Sequence, residues 1–328
     1  MSNTNDQGRS IRRPRDGRLA GVADAPDAAR SQEVRSDGVR LHVRRWAGGP
    51  DGALLIHGLA SSAHIWDLVA PRLGRLGIEP VAYDQRGHGR STKPSSGYGF
   101  EHTAADAVAV IRATGLKRPI VVGHSWGANV ALELAVRHPR LVSGALLLDG
   151  GFSSMRDRFD WRTAKQVLSP PAFGGIPVEA FLAGIPEHTD LARTPEIETV
   201  VLSLVRVDGR GRVHPRLARA NHLKILHALW AQDTDELLRR VRVPTLVLAA
   251  RTRDVAPDQV DFPRAKADAA RRVRAIGSPV AFEWIEGIHD VPLQRPEAVA
   301  RRIAGFARDA RTFAGGARRM GGRWRSSS

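Results

Sequence analysis

Cysteine is absent from the 328 residues of the chain. Without a thiol, the protein can form no disulfide, no thiolate metal site and no cysteine nucleophile. Long apolar runs are absent as well, since no segment approaches the ~20 apolar residues that a membrane-spanning helix needs. The first residues, MSNTNDQGRSIRRPRDGRLAG, contain arginines but no apolar stretch typical of a secretory signal. These absences predict a cytoplasmic protein without a membrane partner.

Acidic residues are scarce relative to basic ones, 34 against 50, which gives a net charge of +16. Residues 1–45 contribute +4 and residues 301–328 contribute +7, so most of the excess lies at the two ends. A nucleic-acid-binding protein more often carries its basic patch on the folded domain, interleaved with aromatic side chains. We therefore interpret residues 1–30 and 313–328 as disordered basic tails and expect no specific nucleic-acid partner.

Strand-like and helix-like segments alternate along the rest of the chain. A hairpin is expected around Asp37-Gly38, and one helix from about His64 to Leu73. Short apolar segments typical of buried strands lie at 53–58, 79–84, 119–124, 144–149, 244–250 and 279–285. This alternation predicts an α/β fold with a mostly parallel, doubly wound sheet.

Residues 151–240 interrupt this alternation. The segment is rich in Pro and Gly at first, as in LSPPAFGGIPVEAF, and has helical spacing later, as in LARANHLKILHALW. We interpret it as a helical lid inserted between two strands of a core formed by residues 31–150 and 241–312. Its apolar side chains are expected either to pack the lid onto the core or to line a substrate pocket. They are Phe152, Phe159, Trp161, Phe173, Phe181, Leu182, Leu226 and Trp230.

The sequence Gly-His-Ser-Trp-Gly, residues 123–127, stands between a predicted strand and a predicted helix. The spacing Gly-x-Ser-x-Gly permits a sharp, strained turn that exposes a serine hydroxyl at the edge of a sheet. A serine is a poor nucleophile by itself and needs a base, which in turn needs an orienting acid. Ser125 is therefore the candidate nucleophile.

Two later loops supply candidates for the base and the acid. Asp254 follows the strand at 244–250, and His289 follows the strand at 279–285, so both are expected at the carboxyl edge of the sheet. Their order along the chain, serine, acid and histidine, is typical of this type of site. The backbone amides of Leu59 and Trp126 are the candidate oxyanion hole. We interpret His57 as a structural histidine, the alternative being a hydrogen bond from its ring that braces the Leu59 loop.

The segments LLIHGLASSAHIWD, YDQRGHGRS, GHSWGA, LVLAARTRDVAP and GIHDVPLQRP together resemble the α/β-hydrolase superfamily, close to its esterase-like branch and related to epoxide hydrolases. The resemblance covers about residues 33–312. It implies a structural role for the loop that begins at Asp84. Some members of the superfamily carry the acid after the strand that precedes the lid, which here is Asp149. We prefer Asp254.

The serine at position 125 separates the chain from epoxide hydrolases and haloalkane dehalogenases, which carry Asp there. The resemblance then implies a serine hydrolase that cleaves a small to medium, partly hydrophobic carboxylic ester, lactone or thioester through an acyl-enzyme. Two alternatives stay open: hydrolysis of a carbon–carbon bond in a diketone-type substrate, and a non-catalytic receptor for a small molecule. No metal or organic cofactor is expected, because the histidines lack ligand spacing.

Overall fold

The computed structural model describes residues 28–170, 174–252 and 261–316. Ten strands are found in this part of the chain: β1 Arg30–Ser36, β2 Val39–Arg45, β3 Asp51–Ile56, β4 Ile78–Tyr83, β5 Ile120–His124, β6 Gly144–Leu148, β7 Val205–Val207, β8 Val213–Pro215, β9 Thr245–Arg251 and β10 Val280–Glu286. Eight of them form one sheet in the order β1-β2-β4-β3-β5-β6-β9-β10.

Strand β2 is antiparallel to its neighbours β1 and β4, and the remaining adjacent pairs are parallel. The predicted fold class, an α/β fold with a mostly parallel sheet, is confirmed. Strand β3 has β4 on one side and β5 on the other, so the order of the chain reverses there. Ligands of open α/β sheets bind outside the carboxyl ends of the strands at such a reversal.

Helices cover both faces of the sheet. They are α1 Ala70–Arg75, α2 Phe100–Thr114, α3 Trp126–Arg137, α4 Trp161–Val167, α5 Val178–Ala183, α6 Ile185–Thr189, α7 Pro195–Ser203, α8 Arg219–Ala231, α9 Thr234–Arg240, α10 Asp261–Ile276, α11 Val291–Gln294 and α12 Pro296–Gly316. Alternate residues of β3 enter opposite cores: Leu54 and Ile56 pack with α2, α3, α9 and α10, whereas Ala53 and Leu55 pack with α1, α11 and α12. The near-continuous apolar strands thus follow from burial on both faces.

The helix expected from His64 to Leu73 is divided in the structure. A single 3-10 turn spans Ala63–Trp66, and α1 begins at Ala70 with Pro71 in its first turn. Proline lacks a backbone N–H and fits the first turn of a helix better than its interior. The proline therefore marks the beginning of a new helix.

Helices α4 to α9 lie between β6 and β9, all within residues 151–240. The same segment contains the two-stranded ribbon β7–β8, which the sequence analysis missed because its three-residue strands are largely exposed. Helix α12 ends at Gly316, four residues beyond the predicted limit of the core. Most of the two predicted tails lies outside the described residues. Within those residues, no helix is long and apolar enough to cross a bilayer.

Candidate active site

Ser125 occupies a tight turn between β5 and α3. Its backbone has φ 55° and ψ −125°, a conformation that costs a non-glycine residue about 1–3 kcal/mol. A side chain at Gly127 would overlap the carbonyl oxygens of Ile56 and His57, and one at Gly123 would overlap the carbonyl of Gly127. Gly127 therefore lets α3 pack directly against the end of β3, and Gly123 lets it pack against the end of β5. The result places the serine at the carboxyl edge of the sheet, beside the first residue of a helix.

His289 lies in the loop after β10, and its Nε2 is 3.0 Å from Oγ of Ser125. The structure therefore brings together the two residues that the sequence analysis named as nucleophile and base. Fifty-two percent of the His289 side chain stays exposed, so a substrate and water can reach the ring. A serine hydroxyl within hydrogen-bond distance of an accessible imidazole is the arrangement that activates a serine nucleophile.

The carboxylate beside His289 belongs to Asp149. Oδ2 of Asp149 is 2.7 Å from Nδ1 of His289, and Asp149 follows β6 directly. Asp254, the preferred candidate for this position, lies outside the described residues. The observed pairing follows from the strand order, since β6 lies next to β5 and so places Asp149 close to Ser125. The alternative acid of the sequence analysis is thus the one that meets the base in this structure.

Asp149 and His289 perturb each other's pKa. Burial alone would raise the pKa of Asp149, but the hydrogen bond with His289 and the nearby charge of Lys266 lower it below 3.8. For His289, desolvation favours the neutral ring, but the hydrogen bond and the charge of Asp149 outweigh this and raise its pKa above 6.5. Asp149 therefore stays ionised, and it stabilises the imidazolium that forms when His289 takes a proton.

His124 supports the loop that carries His289. Its Nε2 donates to the backbone carbonyl of His289 over 2.8 Å, and the two rings lie 4.9 Å apart. Burial and the neighbouring His289 lower the pKa of His124 to about 4. The ring is consequently neutral at ordinary pH, and it anchors the backbone of the base without adding a charge. The sequence analysis gave His124 no such role, because the carbonyl it binds lies 165 residues away.

The loop after β3 lies against the serine, since a side chain at Gly58 would contact Cβ of Ser125 at 3.0 Å. His57 is fully buried, and burial lowers its pKa, so the ring is neutral. Its Nε2 accepts the backbone N–H of Gln85 (2.9 Å), which leaves Nδ1–H to donate to the carbonyl of Gly58 (2.7 Å). Because N–H and C=O point in opposite directions across a trans peptide, the N–H of Leu59 faces away from His57.

His88 holds the peptide between Leu59 and Ala60. Its Nε2 accepts the backbone N–H of Ala60 (3.2 Å), and its Nδ1–H donates to the carbonyl of Arg86 (3.0 Å). Burial lowers the pKa of His88 to about 3, so this ring is also neutral. Ala60 has φ 57°, a backbone conformation that this bond helps to hold. The two histidines thereby set the direction of the peptides on either side of Leu59.

The amides of Leu59 and Trp126 meet no acceptor among the described residues. Trp126 is the first residue of α3, where an N–H has no partner within the helix and the helix dipole favours negative charge. Both candidate oxyanion donors are therefore available beside Ser125, one in the loop after β3 and one at the beginning of α3.

Asp84 is the first residue after β4, and its contacts are structural. Its carboxylate accepts the backbone N–H groups of Ala63 and Arg90 and pairs with His42. Burial opposes its ionisation, but these hydrogen bonds lower its pKa well below the usual range. Asp84 therefore ties β2 and the loop before α1 together behind the site.

One cavity contains the serine, and a second cavity shares the lining residue Leu168 with it. One of about 280 Å³ contains Ser125, Asp149 and His289. Another of about 600 Å³ is lined mainly by apolar side chains of residues 168–222 and reaches Ala60. Leu168 borders both cavities, so the larger, apolar cavity adjoins the one that contains Ser125.

The lid side chains of the sequence analysis fall into three groups in the structure. Phe152 and Phe159 line the smaller cavity, and Phe181 lines the larger one. Leu182 and Leu226 are buried, while Trp161 and Trp230 pack around His227 with edge-on and tilted rings. Phe173 lies outside the described residues. Within those residues, no group of three or more His, Asp or Glu side chains is arranged to hold a metal ion.

Comparison with known proteins identifies the fold and the family of the chain. The family model of the alpha/beta hydrolase fold matches residues 54–178. The 2-(acetamidomethylene)succinate hydrolase of Mesorhizobium japonicum is 33% identical over 161 residues, 49% of this chain and 57% of that protein. A bifunctional esterase/perhydrolase of Acinetobacter calcoaceticus is 25% identical over 83% of this chain and 97% of its own length.

A solved structure of E-2-(acetamidomethylene)succinate hydrolase is similar with a TM-score of 0.69 and 24% identity, covering 85% of this chain and 98% of that one. The chain belongs to the α/β-hydrolase superfamily, and it is an enzyme of that fold.

Proposed function

We propose that the protein is a serine hydrolase that cleaves a carboxylic ester, lactone or thioester through an acyl-enzyme. Ser125 is the nucleophile, His289 the general base and Asp149 the acid that orients the base. The amides of Leu59 and Trp126 form the oxyanion hole. The observation that carries the proposal is the continuous relay from Oγ of Ser125 to Nε2 of His289, and from Nδ1 of His289 to Asp149, over 3.0 and 2.7 Å.

The relay performs two half-reactions with the same groups. In the first, Oγ of Ser125 attacks the acyl carbon while its proton moves to Nε2 of His289. The tetrahedral intermediate then collapses, and the departing alcohol takes the proton from His289. In the second, His289 removes a proton from water, which attacks the acyl carbon of the acyl-enzyme. The bond from that carbon to Oγ of Ser125 then breaks, Oγ takes the proton back from His289, and the acid is released. The negative oxygen of each intermediate accepts the N–H groups of Leu59 and Trp126.

The larger cavity supports a partly hydrophobic substrate. Its volume of about 600 Å³ lies in the usual range for small-molecule sites, and its walls include Phe181, Val201 and Leu204. In our proposal an apolar part of the substrate lies there, while the scissile carbonyl lies in the smaller cavity at Ser125. Residues 151–240 then act as the lid that selects the substrate. The esterase activity in the name of the Acinetobacter relative also supports ester hydrolysis.

The first test is pre-steady-state release of p-nitrophenol from p-nitrophenyl acetate and butyrate. We expect a burst from the wild-type protein that matches the enzyme concentration, followed by slower turnover. Ser125→Ala should abolish the burst and lower kcat by several orders of magnitude, about 10³-fold or more. Ser153→Ala is the matched control, because Ser153 borders the same cavity but is not part of the relay.

Two results would contradict the proposal. Near-wild-type turnover by Ser125→Ala would exclude Ser125 as the nucleophile. No burst and no turnover with any ester, lactone or thioester would redirect the search to a diketone-type substrate, or to binding without chemistry. Mass spectrometry of the quenched reaction provides an independent readout, since an acetyl-enzyme should carry its added mass on the peptide that contains Ser125.

A further inference from the structure

Lysine is rare in this chain, with five in 328 residues, and one of them reaches the acid of the proposed triad. Lys266 lies on α10, and its Nζ donates to Oδ1 of Asp149 over 2.7 Å and to the carbonyl of Ala250 over 2.9 Å. Only 14% of its side chain is exposed. Lys266 also borders the cavity that contains Ser125. The ion pair is therefore inside the site rather than on the protein surface.

The two carboxylate oxygens of Asp149 have different partners. Oδ2 faces Nδ1 of His289, whereas Oδ1 accepts both Nζ of Lys266 and the backbone N–H of Ala250 over 2.9 Å. The carboxylate is 1% exposed, and a buried carboxylate without a partner is costly. With donors on both oxygens, rotation of the carboxylate would break at least one short bond. Lys266 thus holds the orientation in which Oδ2 meets the base.

The charge of Lys266 also acts on His289. Among the residues that the structure describes, the titratable and charged groups that face His289 are Asp149 after β6, Asp290 in its own loop, Lys266 on α10, and His124 and Ser125 at the end of β5. The two carboxylates favour the protonated ring, and Lys266 opposes them. Without the lysine, the imidazole of His289 would therefore stay protonated up to a higher pH. A protonated imidazole cannot act as a base.

We propose that Lys266 is a positioning residue for the proposed triad: it orients Asp149 and balances its charge, so that His289 works as a base at lower pH than an Asp–His pair alone allows. This inference rests on the proposed function, because it assigns Asp149 to the acid position. Lys266 does not touch the reacting atoms. It acts through Asp149, and its effect should appear in the pH dependence of the reaction.

The test is the pH profile of kcat/KM for p-nitrophenyl butyrate between about pH 5 and 10, with Lys266→Met and Lys266→Arg. In the methionine variant, the rising limb should move to higher pH, so that kcat/KM falls about 10-fold at pH 6 and recovers to within about 3-fold of wild type at pH 9. The arginine variant, which keeps the charge, should retain the wild-type position of that limb. Lys165→Met is the matched control, because Lys165 is exposed on α4.

A methionine variant whose profile is lower at every pH but unchanged in position would overturn the inference and reduce Lys266 to a packing role. If the methionine variant does not fold, Lys266→Gln gives the same readout, since glutamine keeps a hydrogen-bond donor without the charge. The proposed function and the role of Lys266 can be rejected independently of each other. Activity that persists in Ser125→Ala removes the proposed function, whereas serine-dependent activity with an unmoved profile in Lys266→Met removes only the role of Lys266.

Discussion

The imidazole of His124 donates a hydrogen bond to the backbone carbonyl of His289, the residue that holds Oγ of Ser125. His124 and Ser125 are neighbours in sequence, so the same strand end carries the nucleophile and fixes the loop of its base. A shift of the base by about 1 Å is enough to lower a rate substantially. The end of β5 thus sets the distance between the candidate nucleophile and the candidate base.

His124→Leu should remove this bond and lower kcat about 10-fold or more with little change in KM. His124→Gln retains a side-chain N–H donor and should recover part of the loss. Steady-state kinetics with p-nitrophenyl butyrate measure both values, and thermal unfolding monitors the fold. Equal rates in the leucine and glutamine variants would show that the hydrogen bond does not position the base.

The acid can be assigned by comparing Asp149→Asn with Asp254→Asn. The first variant should lower kcat about 10³- to 10⁴-fold, because the amide no longer stabilises the imidazolium and favours the wrong tautomer of His289. The second should stay within about 3-fold of wild type. The opposite ranking, with the large loss in Asp254→Asn, would return the acid to the position that the sequence analysis preferred.

The pH profile of the wild-type enzyme follows from the same pair. Asp149 raises the pKa of His289, and only the neutral ring accepts a proton from Ser125. The activity should therefore be lost as the pH falls through the raised pKa, and the midpoint of the rising limb of kcat/KM should lie above 6.5. A midpoint below 6.5 in the wild-type protein would contradict the Asp149–His289 pairing as the source of the shift.

The contacts of His57 predict that its replacement weakens stabilisation of the transition state. His57→Ala frees the Gly58–Leu59 peptide to rotate, so kcat should fall about 10- to 100-fold. Affinity for a trifluoromethyl ketone, whose hemiketal carries an oxyanion, should fall by a similar factor, because such a compound imitates the transition state. A variant that loses activity but binds the ketone normally would show that His57 does not orient the oxyanion hole.

The larger cavity predicts a chain-length effect. Val201→Trp places an indole in the apolar space, and kcat/KM for p-nitrophenyl octanoate should fall about 10-fold or more while the value for the acetate changes little. Val167→Trp is the matched control, because Val167 is 61% exposed and does not border the cavity. Parallel losses for both esters in Val201→Trp would mean that the acyl chain does not occupy this space.

The local sequence pattern was sufficient to predict much of the fold and part of the candidate site. The alternation of apolar segments predicts the strands and the mostly parallel sheet, because strands buried on both faces must be apolar throughout. Ser125 is recognisable because the spacing Gly-x-Ser-x-Gly encodes its turn within five residues. His289 is recognisable because it follows a predicted strand. The helix break before Pro71 and the short strands β7 and β8 were not predicted, because the break depends on a single residue and the strands on a pairing of three residues each.

Short-range spacing and repeated burial are enough to predict the fold class, the candidate nucleophile and the candidate base. Long-range packing determines which carboxylate meets His289, places His124 and Lys266 in contact with the relay, and lets His57 hold the Leu59 loop. Asp149 and His289 are 140 residues apart, and Lys266 is 117 residues from Asp149. Which of several loop carboxylates comes within hydrogen-bond distance depends on the order of the strands across the sheet, and that order is a property of the folded chain.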